Sequence, residues 1–403
     1  MSATRVYACS SILVGVGLVS VYCAPVRAAE LEYKILLSLS AFTEVGYLRG
    51  CTAIARPECP RAVVAEPRYI SSAPLFLTVP IGPVEQGPVV MALDSSTTRD
   101  GDLDFLYVDR DRDGDLREEK PVIAVSQRGR QRFPMVHAFT YSGSRRSVYH
   151  FSIQHYGNGR RYRIRSCSYR RGTLAIGGKK YRVAVADSNG NGLCNDQAAS
   201  PHRGDRLLVD LNGDGKWKGT EECQDLGASN FVLGDFYSFA VSPDGVKMAV
   251  SRCDRPRGRI RFSNPVASIL LCSENGVFGF KPEGKDTIEV PTGSYRISSL
   301  SLAEQRDAAG NTWSFSAGTH EAKIVPCVVR EEQTSLMPLG APFRVALTAS
   351  ESSGSLSVTA KITGQAGERY SSVVRNGKRG PGPNVVVTDP TGKTLTTLTL
   401  DYG

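Results

Sequence analysis

The sequence predicts a mainly β protein, and three observations support that prediction. Runs rich in Val, Ile, Tyr and Thr lie between turn signals supplied by 40 glycines and 22 prolines. No window longer than about ten residues carries apolar side chains at helical spacing. Several alternating runs pass directly into acidic, Gly-containing loops. We therefore expect a β-rich N-terminal region with strand-linked loops, followed by Ig-like or prealbumin-like β-sandwich modules.

The predicted strands are segments in which apolar and polar residues alternate between turn residues. They are Leu75–Val79, Val89–Leu93, Phe105–Val108, Val148–Gln154, Arg161–Ser166, Tyr181–Ala186, Leu207–Val209, Phe236–Val241, Lys247–Val250, Ser268–Cys272, Ser294–Leu300, Phe343–Leu347, Ser355–Ile362 and Asn384–Thr388. A strand followed by an acidic loop recurs at Leu103–Glu119, Tyr181–Asp196 and Arg206–Glu222. After about Pro256 the acidic loops stop and Ser, Thr and Gly become frequent. These shifts predict a β-rich region over 29–255 and a sandwich region over 256–403.

Residues 1–28 have the organisation of a signal peptide. Arg5 precedes the apolar stretch Ile12–Tyr22, and Val26 and Ala28 are small residues at the −3 and −1 positions of a cleavage site before Ala29. An uncleaved membrane anchor is the alternative, but the stretch is shorter than the ~20 apolar residues that a spanning helix needs. We therefore expect an exported protein (extracellular, cell-surface or periplasmic) with no transmembrane segment in the mature chain.

The cysteine count fits an exported protein with disulfides. Of ten cysteines, Cys9 and Cys23 lie in the signal peptide, which leaves eight. An even number in an exported chain predicts disulfides, with Cys51 and Cys59 as a plausible local pair. Metal ligation is the alternative, although the spacings are irregular and no C-x-x-C occurs.

The loop Asp210–Glu221 fits the calcium pattern D-x-[DN]-x-[DN]-G-x5-E in every specified position. Calcium prefers six to eight hard oxygen ligands, which such a loop supplies from alternate residues. Asp210, Asn212 and Asp214 would give side-chain oxygens, Lys216 its backbone carbonyl and Glu221 both carboxylate oxygens. The alternative is a turn held by Asx hydrogen bonds, which needs no ion.

Two further loops keep this spacing less completely. The loop beginning at Asp109 has Lys120 at the twelfth position, although its crowded carboxylates would repel one another without a cation. Its candidate ligands are Asp109, Asp111, Asp113, Asp115 and Glu119. The loop beginning at Asp187 carries less charge, which predicts weaker binding or a purely structural turn. Its candidate ligands are Asp187, Asn189, Asn191, Leu193 and Asp196.

The segments that enter the three loops alternate as strands do, so we do not expect EF-hand helix pairs. Pro201 and Gly204 leave no room for a helix before the loop at Asp210. Without two helices that swing apart, a calcium sensor is disfavoured. The loops are more simply interpreted as structural clamps.

Three segments of the chain resemble a set of exported calcium-loop proteins of planctomycete-type bacteria. They are YRVAVADSNGNGLCND (Tyr181–Asp196), GDRLLVDLNGDG (Gly204–Gly215) and LDFLYVDRDRDGDLREE (Leu103–Glu119). The resemblance spans about Tyr69 to Val250. The loops are also similar to those of dockerin and thrombospondin type 3 repeats. The resemblance implies export, bound Ca2+ and a β architecture, and it implies no activity.

No catalytic motif is recognisable: the sequence has no H-E-x-x-H, no G-x-S-x-G and no phosphate-binding Gly loop. We therefore expect a secreted or cell-surface calcium-binding protein with a structural or binding role rather than an enzyme. The alternative is an exported hydrolase of envelope polymers, because carboxylate pairs for glycoside hydrolysis are remote in the chain.

A basic stretch, 128–171, interleaves arginines with tyrosines. It could bind an acidic surface polysaccharide or another envelope protein. The mixture also suits nucleic acid, but predicted export argues against that partner. A solvated sheet face on which Arg stacks on Tyr is the simpler interpretation.

Overall fold

The computed structural model describes residues 28–36, 42–97, 103–127, 130–157, 159–201, 203–318, 324–352, 355–379, 382 and 384–400. The predicted signal peptide lies outside these ranges except for Ala28. The mainly β prediction is confirmed: the described residues form strands, one four-residue α-helix, Gly219–Glu222, and one 3-10 turn, Val84–Gln86. Among them, no helix is long and apolar enough to cross a membrane.

Two antiparallel sheets form a first sandwich. The 75–123 sheet contains, in spatial order, Leu75–Val79, Val89–Asp94, Phe105–Val108 and Val122–Ile123. The 125–166 sheet contains Val125–Gln127, Arg130–Ser142, Arg145–His155, Arg161–Ser166 and Cys51–Ile54. Side chains such as Met91 and Val108 meet Phe133, Phe151 and Ile164 in a shared core. Each fully buried side chain of this size contributes about 1.5–3 kcal/mol.

A second pair of sheets is built in the same way. The 168–225 sheet contains Cys223–Asp225, Arg206–Val209, Lys179–Ala186, Ser168–Ile176 and Glu32–Ile35. The 230–252 sheet contains Ala29–Glu30, Lys247–Arg252, Asp235–Val241 and Asn230–Val232. Val183, Leu207 and Met248 lie in the core between them. The short hairpin of Phe42–Thr43 and Gly46–Tyr47 lies near the opposite face of the 168–225 sheet, where Val45 is buried with Leu208.

The sandwich region begins with a three-stranded sheet of Thr287–Pro291, Arg257–Phe262 and Thr334–Met337, the last two of which pair in parallel. A large sheet follows the order Gly276–Phe280, Val266–Ser273, Gly293–Leu302, Thr312–Gly318, Arg369–Arg375, Ser355–Thr363 and Arg344–Ser352. Three short strands pair with strands of this sheet: Gln305–Arg306, Cys327–Val329 and Lys378–Arg379. A separate hairpin is formed by Asn384–Thr388 and Thr394–Thr399. The core around Tyr295 also takes in Phe236 and Cys253 from before the predicted boundary. The Ig-like or prealbumin-like assignment stays a prediction.

The predicted disulfides are absent from the part of the chain that the structure describes. All eight cysteines that follow the predicted signal peptide are described, and each is a free thiol. Cys51 lies in a strand with its Sγ 3.7 Å from the carbonyl oxygen of Gly190, whereas Cys59 lies in an exposed turn beside Pro60. Burial raises the pKa of Cys51 to about 11, which keeps this thiol protonated and unreactive.

Candidate metal centre

Each acidic loop begins where a strand ends. The strand Phe105–Val108 ends one residue before Asp109. In the same way, Lys179–Ala186 ends before Asp187 and Arg206–Val209 ends before Asp210. These three aspartates are 2%, 1% and 6% exposed. Each loop therefore starts with a buried carboxylate, which directly follows the end of a strand.

The first carboxylate of each loop accepts a hydrogen bond from the backbone N–H five residues later, at 2.6–3.2 Å. That residue is a glycine in the left-handed region in all three loops: Gly114, Gly192 and Gly215. At Gly114 a Cβ atom would also lie 2.2 Å from the carbonyl oxygen of Ala62, so no other residue fits. The sequence spacing D-x-x-x-x-G therefore corresponds to one repeated backbone turn.

In the first loop the carboxylates converge. Asp109, Asp111 and Asp113 each place a carboxylate oxygen within 4.8 Å of the other two. Oδ2 of Asp109 accepts the Gly114 N–H, but its buried Oδ1 has no hydrogen-bond partner. An unpartnered buried carboxylate oxygen is costly, and a cation between the three side chains would remove that cost.

The charge of this triad is not balanced from within the loop. Burial raises the pKa of Asp109, and the neighbouring charges of Asp113 and Asp111 raise it further. The same two aspartates raise the pKa of the exposed Glu118. Bound Ca2+ would reverse these shifts, because a nearby cation favours the ionised carboxylate.

The three arginines of the loop are directed elsewhere. Arg110 pairs with Glu119, and Arg117 pairs with Asp115 at 2.6 Å. Arg112 donates to four backbone carbonyl oxygens at 2.6–3.2 Å, those of Ile81, Gln86, Gly87 and Phe139. The structure therefore gathers Asp109, Asp111 and Asp113, whereas the predicted ligands Asp115 and Glu119 are held by arginines outside that group.

The third loop, which matches the motif best, has cations of the protein beside it. Asp210 lies 3.5 Å from Nε of Arg182, and Asp214 lies 3.6 Å from Nζ of Lys218. Asn212 accepts the N–H of Asp214, which in turn accepts the N–H of the predicted ligand Lys216. These contacts partly neutralise the negative charge of the third loop.

The closing glutamate of the third loop is Glu222 rather than the predicted Glu221. Glu221 is exposed and pairs with Lys281 at 2.8 Å. Glu222 is 6% exposed, and its carboxylate accepts three backbone N–H groups of the loop, from Leu211, Asn212 and Lys218. The short helix Gly219–Glu222 turns only the second of the two glutamates inward.

Replacing Glu222 with Gln is expected to destabilise the protein by about 1–3 kcal/mol, because an amide satisfies the three buried N–H groups less well than a carboxylate. Urea unfolding monitored by fluorescence measures this change. Glu221→Gln is the matched control and should leave the unfolding midpoint near that of the wild type. Equal destabilisation by both substitutions would contradict the assignment of Glu222.

The second loop satisfies its own polar groups. Asn189 and Asn191 both donate their amides to Asp196, at 2.9 and 2.7 Å. Their amide oxygens accept the N–H groups of Asn191 and Leu193. The loop thus has the hydrogen bonds of a structural turn, and bound calcium in it stays a prediction.

Sequence analysis did not identify two side chains that contact the second loop. Tyr149 donates its hydroxyl to Asp187 at 2.6 Å, and burial raises the pKa of Asp187 to about 6. Asp205 is fully buried and accepts the N–H groups of Ser188 and Asp196. A cavity of about 30 Å³ lies beside Tyr149 and Asp187, which is the size of a water molecule and too small for a sugar ring.

Comparison with known proteins gives no relative: no family model, no curated protein and no solved structure matches this chain. The geometry of the loops is therefore the basis for the function proposed below.

Proposed function

We propose that this chain is an exported calcium-binding protein in which the first loop, 109–119, holds Ca2+ and braces a β scaffold. Two observations carry the proposal: Asp109, Asp111 and Asp113 each place a carboxylate oxygen within 4.8 Å of the other two, and the buried Oδ1 of Asp109 has no hydrogen-bond partner. Three carboxylates supply hard oxygen ligands of the kind that calcium prefers, and backbone carbonyls or water can complete the shell.

The contacts of the first loop support a bracing role. Gly114 accepts N–H groups from Val64 and Ala65 through its carbonyl oxygen. The N–H of Phe139, in the 125–166 sheet, donates to the carbonyl of Arg110 at 2.9 Å. The side chain of Arg112 donates to the carbonyl of Ile81 and so connects the loop that contains Ile81 to the first loop. A cation that orders this loop would thus fix three separate segments of the first sandwich.

Calorimetric titration of the mature chain with calcium tests the proposal. The double variant Asp111→Asn plus Asp113→Asn removes two exposed charges and keeps the side-chain shapes, so it should lose one binding site or bind at least about tenfold more weakly. The matched control is Asp254→Asn plus Glu331→Gln, which removes two exposed charges elsewhere. Unchanged stoichiometry and affinity in the loop variant would refute a site at Asp109.

Export rests on the signal-peptide pattern of residues 1–28. Extracellular calcium modules bind at about 10⁻⁴–10⁻³ M, so a loop with three carboxylates would suffice outside the cell. The hydrolase alternative stays a hypothesis, and a panel of envelope polysaccharides as substrates would test it. Turnover that is lost on substitution of one carboxylate outside the loops would support an enzyme.

A further inference from the structure

Arg132, Arg163 and Arg165 lie on one face of the 125–166 sheet, here called the arginine face. The alternation of Arg161–Ser166 turns Tyr162 and Ile164 into the core, so Arg163 and Arg165 project from the opposite side. They are two residues apart on one strand, a separation of about 7 Å.

The strand register adds the third arginine. Gln154 pairs with Arg163 on one side and with Arg132 on the other. Directly paired residues share a face, so Arg132 and Arg163 flank Gln154 at about 10 Å from each other. The three arginines are thus carried by the two strands that flank Arg145–His155 in one sheet.

Carboxylates do not neutralise Arg163 and Arg165. In the part of the chain that the structure describes, Arg165 forms no ion pair, and Arg163 donates to the carbonyl of Arg49 at 3.1 Å but to no carboxylate. The Nε atoms of Arg163 and Arg165 are buried without a hydrogen-bond partner. Burial lowers the pKa of Arg165, and the charges of Arg163 and Arg132 lower it further.

We propose that the arginine face binds the sulfate or carboxylate groups of an acidic polysaccharide. A guanidinium group presents a planar fork of donors that matches an oxyanion, and the negative charge of a bound oxyanion would relieve the repulsion between the arginines. The choice of a polysaccharide rests on the export included in the proposed function. The site itself is separate from the calcium loops.

The aromatic side chains disfavour a nucleic acid at this face. Binding of single strands needs exposed ring faces on which bases stack. The guanidinium of Arg163 already covers the ring of Tyr156, at 4.2 Å from its centroid. Tyr149 and Tyr162 are 6% and 3% exposed. Tyr149 and Tyr162 therefore support the sheet, and Tyr156, which is 43% exposed, has one ring face covered by an arginine.

Titration calorimetry at physiological salt, with the mature chain in calcium, tests this proposal. The probes are a sulfated chondroitin oligosaccharide, the unsulfated chondroitin oligosaccharide of the same length, whose only charges are carboxylates, and inorganic sulfate. The variant Arg163→Gln plus Arg165→Gln should bind the preferred oligosaccharide roughly tenfold more weakly, which corresponds to the loss of charge-assisted hydrogen bonds. The two oligosaccharides distinguish a sulfate from a carboxylate ligand.

The matched control is Arg259→Gln plus Arg261→Gln, two exposed arginines at the same spacing on another strand, where Glu289 lies opposite Arg259 in the register and forms an ion pair with Arg257. It should bind within about twofold of the wild type. If the Gln variant does not fold, Arg163→Lys plus Arg165→Lys keeps the charge and removes the donor fork, and it should still bind more weakly.

Three results would overturn the proposal: no binding of either oligosaccharide, equal loss in the arginine-face and control variants, or tighter binding of an oligonucleotide of equal charge. Repeating the titration with Asp111→Asn plus Asp113→Asn separates the two proposals. Polysaccharide binding that persists in this loop variant supports the arginine face whether or not the loop binds calcium.

Discussion

Removal of calcium from the mature chain is expected to lower its melting temperature by several degrees. A ligand held only by the native state stabilises it by about 2.7 kcal/mol when its free concentration is roughly 100 times Kd. The physical source is the Asp109 triad, where a cation would pair with a buried carboxylate oxygen that has no other partner. Thermal unfolding followed by circular dichroism, in excess calcium and in excess EGTA, measures the effect.

The loop variant Asp111→Asn plus Asp113→Asn should melt at nearly the same temperature in calcium and in EGTA. The control variant Asp254→Asn plus Glu331→Gln should retain the full difference between the two conditions. A wild-type chain that is equally stable with and without calcium would argue against the bracing role, even if calorimetry detects a bound ion.

The substitution Asp225→Ala is expected to destabilise the protein by about 3–5 kcal/mol. Arg206 and Asp225 are cross-strand partners whose charged groups lie 2.7 Å apart. Their side chains are 10% and 4% exposed, so loss of the carboxylate leaves a buried guanidinium without its counter-ion. Chemical unfolding in urea gives the free energy of this change.

Glu32→Ala is the comparison for Asp225→Ala, since Glu32 pairs with Lys34 at the surface. Exposed pairs of this kind contribute little, and the unfolding midpoint of this variant should stay close to that of the wild type. An Asp225→Ala protein that unfolds at the wild-type midpoint would show that Arg206 finds another partner or reaches water.

Alternation and turn residues were sufficient to locate the strands they predicted. Four segments are observed with the predicted bounds: Leu75–Val79, Phe105–Val108, Arg161–Ser166 and Asn384–Thr388. The other predicted segments lie within longer strands, except that Phe343 precedes the strand Arg344–Ser352. Alternation failed for Arg130–Ser142, the longest strand, because Pro134 and a bulge between Phe133 and Val136 interrupt its pattern.

Ser168–Ile176 was missed for a different reason. Two arginines and Gly172 occupy its centre, which is atypical of a strand. In the structure a Cβ atom on Gly172 would lie 2.7 Å from the side chain of Leu31, so the glycine permits close approach of the N-terminal segment. Such a requirement comes from a distant part of the chain and leaves no local pattern.

How the three loops rank as candidate calcium sites could not be predicted from how completely each one matches the calcium motif. Asp210–Glu221 matches the calcium pattern fully, but Arg182 lies beside Asp210 because the strand register puts it there: the Asp210 N–H donates to the Arg182 carbonyl. The sequence separation of 28 residues hides this contact. The first loop matches less well, yet its own arginines bond to Glu119, Asp115 and backbone carbonyls and form no ion pair with the Asp109 triad.

Hydrogen exchange of the mature chain in calcium and in EGTA tests the central claim most directly, because it reports on the segments that the first loop holds together. The account predicts that calcium slows amide exchange in Phe105–Val108, in 63–65 and around Phe139, and that Asp111→Asn plus Asp113→Asn abolishes this protection. Identical exchange in these segments with and without calcium would contradict a calcium-braced scaffold.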